Sequence, residues 1–187
     1  MQLYAGILRE GMGPMDPILV LILVIILLIA IATDLHSSRV PNWLTFPAMI
    51  FGLLGHAWMD NIDGIIFSLA GLGTGLGLFF LLYLAGGIGA GDVKLMAVIG
   101  AFVGVYGVLS CAWLAMMVGG VYGIAAMCYQ WGVANAGQRL VYATYGAVLV
   151  GGSAWIQELA LPFKLRYGIA IVGGTILFLL GVSPFGG

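Results

Sequence analysis

The chain has 187 residues, of which 63% are hydrophobic and only 7% are charged, with a formal net charge of −1. Soluble globular domains carry about 25% charged residues, so this composition excludes a soluble domain. The small net charge argues against nucleic-acid binding, which usually requires a basic patch. Because the apolar runs are continuous rather than alternating, we predict an all-α fold, a polytopic bundle of membrane helices.

The apolar runs, taken in chain order, predict about six transmembrane helices. Asp16 can cap a first helix over residues 17–33, a run near the lower length limit for a span. A short polar connector, residues 34–41, ends in a proline that favours a new helix start. Residues 42–59 form the second span, and an acidic loop separates it from a third span over residues 65–84.

Glycines recur in the third predicted span and in the long apolar run that follows it. Gly71, Gly73, Gly75 and Gly77 form two interleaved GxxxG patterns in the third span, which are typical of close helix packing. Residues 93–131 are too long for one span and predict two, with a break near Gly104–Gly107. We predict that residues 132–166, of mixed polarity, are interfacial or partly inserted, and that residues 167–182 form the last span.

Two aspartates stand at the ends of apolar runs. Asp34 ends the first run, and Asp92 follows a glycine-rich stretch that contains Gly89 and Gly91. Charged groups inside a membrane are costly, and they mark functional sites by default. Both aspartates fall on one face of the predicted bundle, whereas Asp60 and Asp63 lie in a solvated loop on the opposite face.

Two such carboxylates have an evident chemistry if their helices pack together. About 4 Å apart, they would repel by roughly 4 kcal/mol at an effective dielectric of 20, so they would share a proton. One could then act as a base on water and the other as an acid toward a peptide carbonyl. Gly89 and Gly91 would permit positive φ and a close approach of substrate. An aspartyl protease, a proton- or ion-coupled carrier and a structural role all remain open from these residues.

The distribution of basic residues predicts the orientation of the bundle in the membrane. Five of the six basic residues fall on the face that carries Asp34 and Asp92, and only Arg9 lies opposite. The excess of positive charge on cytoplasmic loops therefore predicts a cytoplasmic site and an N-terminus outside. No convincing internal repeat supports the carrier alternative.

The two motifs resemble those of type 4 prepilin peptidases, the GxGD membrane aspartyl proteases. The resemblance is carried by Asp34-Leu-His-Ser-Ser-Arg39-Val-Pro41-Asn42-Trp-Leu-Thr and by Gly89-Ala-Gly91-Asp92-Val-Lys94-Leu. It implies that Asp34 and Asp92 are the catalytic pair. It also implies cleavage of short basic leaders from pilin-like precursors at the cytoplasmic face of the bacterial inner membrane, without metal or cofactor.

The resemblance is to the short, peptidase-only form found in Flp (tight-adherence) pilus systems. Residues 1–187 are expected to form a single membrane-embedded domain without a methyltransferase region, because the chain has no CxxC pair. One departure is visible before the last span, where short forms often read Pro-Tyr-Gly-x-Ala-Ile. This chain has Arg166 in the proline position, followed by Tyr167 and Gly168.

The polar residues around the motifs are candidates for support. Arg39, Pro41 and Asn42 are expected to hold the Asp34 connector or to contact the substrate backbone, although Arg39 could equally set topology. Lys94 is expected to be an interface anchor, because side chains two positions apart on a helix point about 200° apart. His36 and His56 lie on different faces and make a poor metal site.

Overall fold

The structure is a computed structural model that describes residues 16–37, 40–84, 88–131, 167–182 and 184. In these ranges the chain forms four helices and no strand, which confirms the predicted all-α class. They are α1 (Pro17–Ser37), α2 (Asn42–Leu84), α3 (Ala90–Trp131) and α4 (Tyr167–Leu179). The first two and most of α3 are long and apolar enough to cross a membrane. The protein is therefore a helical membrane bundle.

Helix α1 begins where the sequence predicts. The Ile18 backbone N–H donates to Asp16 Oδ1 over 3.0 Å, so Asp16 caps the first turn. The helix continues to Ser37, beyond the predicted end of its apolar run at residue 33. Backbone hydrogen bonding does not stop where hydropathy falls, so Asp34 lies in the last turn of α1 rather than in a connector. Much of the α1 surface is exposed leucine and isoleucine, as a lipid-facing helix requires.

Helix α2 is a hairpin of two helical segments. The backbone leaves helical geometry at Asp60 and Asn61, where Asn61 has a φ of 52°. A Cβ atom placed at Gly64 would meet the carbonyl oxygen of His56, eight residues earlier. In a straight helix those positions would be about 12 Å apart, so the chain must reverse here. The predicted acidic loop between the second and third spans is confirmed as this turn.

Helix α3 reverses in the same way at Gly104, whose φ is 70° and ψ −171°. A Cβ atom placed at Gly75 would meet both the Met96 carbonyl oxygen and, at 3.0 Å, Val108 Cγ2. Residues 96 and 108 would lie about 18 Å apart in a straight helix, so the two halves of α3 fold back on each other. The predicted break near residue 104 is therefore confirmed.

The reversal at Gly104 interrupts the backbone hydrogen bonds of α3. Two side chains of α2 contact the backbone carbonyls beside this break. Ser68 Oγ donates to the Ala101 carbonyl oxygen over 2.8 Å, and His56 Nε2 lies 2.8 Å from the Phe102 carbonyl oxygen. Both side chains are buried. An unsatisfied backbone carbonyl in an apolar interior costs several kcal/mol, so these two contacts stabilise the break. His56 is thus a structural residue of the α2–α3 contact.

The first half of α3 is the centre of the bundle. Residues 95–99 are at most 1% exposed, and small residues let α2 approach them. A Cβ atom placed at Gly71 would meet the Gly100 carbonyl oxygen, whereas one placed at Gly73 or Gly77 has no described neighbour within 4 Å. The packing role predicted for the glycines is confirmed for Gly71 and Gly75, and the other pair faces outward.

Helix α4 packs along the second half of α3. A Cβ atom placed at Gly174 would meet the backbone nitrogen of Ala115, and one placed at Gly119 would lie 3.2 Å from the Tyr167 ring. The helix ends at Leu179, and the chain turns at Gly181 with a φ of 94°. With both reversals, the described residues form six helical segments. The number of transmembrane spans stays a prediction, and the expectation for residues 132–166 lies outside the described residues.

Candidate active site

Three helix ends meet at one end of the bundle, which we call the site end: the last turn of α1, the first turn of α3 and the first turn of α4. A Cβ atom placed at Gly168 would lie 2.9 Å from Asp34 Oδ2 and 3.7 Å from Asp92 Oδ1. The two carboxylate oxygens can be no farther apart than these distances together, about 7 Å. The structure therefore brings Asp34 and Asp92 together, although 58 positions separate them in the sequence.

The Asp92 carboxylate is held by the start of its own helix. The Gly89 N–H donates to Asp92 Oδ2 over 3.1 Å, and the Asp92 N–H donates to the Gly89 carbonyl oxygen over 3.0 Å. This reciprocal pair resembles a capping box, with Gly89 as the cap. It fixes Oδ2 toward the helix terminus and leaves Oδ1 on the side of Gly168 and Asp34.

The glycines beside Asp92 do not use the positive φ that glycine permits. Among the described glycines only Gly104 and Gly181 have a positive φ, and the close approach of substrate at Gly89 and Gly91 stays a prediction. A Cβ atom at Gly91 would lie 3.3 Å from both the backbone nitrogen and Cγ2 of Val40. Gly91 is therefore small because the chain entering α2 crosses closely over the start of α3.

The supporting residues tie α2 to α3 beside this crossing. Lys94 Nζ donates to Asn42 Oδ1 over 2.7 Å, which links the first turns of the two helices. The Pro41 carbonyl oxygen accepts from the Leu44 N–H over 3.2 Å, and α2 begins directly after Pro41 as predicted. Arg39, the other predicted support, lies outside the described residues.

The aspartates at the site end are less exposed than those of the acidic loop. Asp34 and Asp92 are both partly exposed, whereas Asp60 and Asp63 are exposed at the far end of the α2 hairpin. Among the residues that the structure describes, no three His, Cys, Asp or Glu side chains converge as a metal site would require.

Gly168 is the site neighbour that sequence reasoning did not select. The Tyr167-Gly168 pair at the start of the last apolar run matches the Tyr-Gly of the short-form pattern. No feature of the neighbouring sequence connects that pair with Asp34 or Asp92. The available signal was a glycine in the first turn of an apolar helix that begins on the aspartates' predicted face.

The fold and the site define a class: a polytopic helical membrane protein with two carboxylates brought together at one end of its bundle. Residues 21–124, which include Asp34 and Asp92, match the type IV leader peptidase family. The chain belongs to that family. No solved structure matches it.

Two curated relatives have the same description, prepilin leader peptidase/N-methyltransferase. The Bacillus subtilis protein is 35% identical over 105 residues, which cover 54% of this chain and 41% of that protein. The Xanthomonas campestris protein is 36% identical over 98 residues, which cover 48% of this chain and 33% of that protein. The chain thus matches less than half the length of either relative.

Proposed function

We propose that this protein is an aspartic endopeptidase that removes the short basic leader peptide from type IV, Flp-like prepilins. The observation that carries the proposal is the convergence of Asp34 Oδ2 and Asp92 Oδ1 on Gly168, in a chain of the leader peptidase family. Both relatives are prepilin leader peptidases by description, which supports the substrate class.

The proposed chemistry uses the two carboxyl groups as an acid and a base. The proposed reaction needs one proton on the pair, so that one carboxyl group is protonated while the other is ionised. The ionised group takes a proton from water, whose oxygen attacks the scissile carbonyl carbon, while the protonated group donates to the carbonyl oxygen. When the C–N bond breaks, the leaving nitrogen takes up a proton from the pair.

The first turns of α2 and α3 would hold one half of this pair in place. The Gly89 N–H fixes Asp92 Oδ2, and the Lys94–Asn42 hydrogen bond joins the two helices that flank the crossing at Gly91. In the proposal these residues, with Pro41 and Arg39, are supports rather than reacting groups. No cofactor or metal is part of the proposed reaction.

The proposed location is the inner membrane of a bacterium, with the N-terminus outside and the site end at the cytoplasmic face. The supporting argument is the distribution of Lys and Arg, which favours cytoplasmic loops. A basic leader would stay at that face while the apolar helix of the precursor lies in lipid beside the enzyme. The scissile bond would then lie near the aspartates. That residues 1–187 form a single domain without a methyltransferase region stays a prediction.

Replacement of either aspartate by asparagine tests the proposal. Asp34→Asn and Asp92→Asn each keep the size of the side chain but cannot cycle a proton, so we expect at least about a thousandfold loss of cleavage. The measurement is the gel mobility of a prepilin co-expressed with each variant, followed by rates on the purified proteins.

Asp63→Asn is the matched control, since Asp63 is an exposed carboxylate at the far end of the bundle, and it should cleave like the wild type. Cleavage that persists in Asp34→Asn or Asp92→Asn would remove that residue from the mechanism. A wild-type protein that leaves every prepilin intact would overturn the function itself. No observation on the described residues favours the carrier alternative.

A further inference from the structure

The first turn of α4 contacts both carboxyl groups at a position that has no side chain. Gly168 is buried, and its missing Cβ would lie 2.9 Å from Asp34 Oδ2, 3.4 Å from Asp34 Cγ and 3.7 Å from Asp92 Oδ1. Nonbonded carbon atoms pack at about 3.5–4.0 Å. A methyl group would therefore press on the Asp34 carboxyl group, whereas its contact with Asp92 Oδ1 would be of ordinary length.

We propose that Gly168 is a positioning residue of the proposed peptidase site, and that its lack of a side chain sets the separation of the two carboxyl groups. The inference rests on the proposed function. In the structure Asp34 Oδ2 and Asp92 Oδ1 both lie against the α4 backbone at Gly168. A side chain at this position would displace the Asp34 carboxyl group.

Other contacts limit where the displaced groups can go. Asp92 Oδ2 is bound to the Gly89 N–H, so Asp92 cannot move freely without breaking the cap of α3. Asp34 lies in the last turn of α1, and its carboxyl group is the nearest described atom to the missing Cβ. The displacement is therefore expected to fall on Asp34, and it would disturb the transfer of protons between the pair.

Two further glycines on α4 make the test specific. A Cβ atom at Gly173 would meet only Val118 Cγ1, at an ordinary 3.6 Å, and one at Gly174 would meet the backbone nitrogen of Ala115. Neither lies against the carboxyl groups. Gly173→Ala is therefore the control in which an added methyl group fits without a clash. Gly174→Ala is the control in which it disturbs helix packing away from the site.

The experiment compares Gly168→Ala, Gly173→Ala and Gly174→Ala as purified full-length proteins in detergent, on one prepilin substrate. We expect Gly168→Ala to lower kcat by about tenfold to a hundredfold, since a displacement on the order of 1 Å can cost about a hundredfold in rate. Its KM and its melting temperature should stay near those of Gly173→Ala. Gly174→Ala should melt earlier, yet its folded fraction should keep the wild-type kcat.

Each outcome has a defined meaning. If the wild type cleaves and Gly168→Ala cleaves equally fast, the inference fails while the proposed function stands. If Gly168→Ala melts early like Gly174→Ala, rates are compared at a temperature where both are folded. A wild-type kcat there would make Gly168 a packing residue and overturn the inference. A wild type that cleaves no prepilin would overturn the function and the inference together.

Discussion

Asp92 has two duties at the scale of a single residue. One carboxylate oxygen accepts the Gly89 N–H that would otherwise lack a partner at the start of α3, and the other faces Asp34 across Gly168. The positive end of the α3 dipole lies at the same place and favours a negative charge there. Asp92, which is proposed to react, therefore also helps to cap the start of α3.

This double duty predicts that two Asp92 variants, both expected to be inactive under the proposed mechanism, differ in stability. Asp92→Ala removes the acceptor for the Gly89 N–H and should lower the free energy of unfolding by about 1 kcal/mol, as the loss of a helix cap typically does. Asp92→Asn keeps an amide oxygen in that place and should lose only about half as much, through the helix dipole. Unfolding midpoints in a denaturing detergent series measure both, and equal midpoints would show that the cap contributes nothing.

At the scale of elements, the glycines of α2 divide into a packed pair and an open pair. Gly71 and Gly75 lie against backbone atoms of α3, and Gly73 and Gly77 have no described neighbour within 4 Å. The four glycines lie two residues apart along one helical segment, so packed and open positions alternate. Their sequence context is nearly the same, and only the position of α3 distinguishes them.

The division predicts opposite effects from one kind of substitution. Gly71→Ala or Gly75→Ala would force α2 and α3 apart and should destabilise the protein by about 1–3 kcal/mol. Gly73→Ala or Gly77→Ala should leave stability unchanged or raise it by up to about 1 kcal/mol, because alanine favours helices. Melting curves of the four single variants test this, and a uniform response would contradict the observed helix contact.

At the scale of the whole molecule, helix ends that are far apart in the sequence share one end of the bundle. The chain turns back at Asp60–Asn61 and at Gly104, and the end of α1 and the starts of α3 and α4 lie together at the site end. His36 is exposed in the last turn of α1, and Asp63 is exposed beyond the α2 turn. These two residues therefore report on opposite ends of the bundle.

The proposed orientation predicts their accessibility. In a background with Cys111→Ala and Cys128→Ala, the variant Asp63→Cys should react with a membrane-impermeant maleimide on intact spheroplasts. The variant His36→Cys should react only after the membrane is opened, because the site end faces the cytoplasm in the proposal. Each variant is a control for the reactivity of the other, and the reverse pattern would place the site outside.

Much of the helical layout follows from the sequence alone. Asp16 starts α1, Pro41 precedes α2, and the breaks at Asp60–Asn61 and Gly104 lie where the sequence places them. These features are predictable because helix caps, turns and the length of an apolar run depend on residues that are close in the sequence. In addition, the thickness of the bilayer sets the length that a transmembrane helix needs. The two aspartates belong to the same group, since a carboxylate at the end of an apolar run is conspicuous in its own segment.

Only the tertiary structure decided how those segments meet. It placed Gly168 against both carboxyl groups, gave Gly91 its role beside Val40, and used His56 and Ser68 for the carbonyls freed at Gly104. Each of these contacts joins residues more than 30 positions apart, and none has a local signature. They depend on how closely two backbones approach, which is set by packing across the bundle and not by the composition of any one helix.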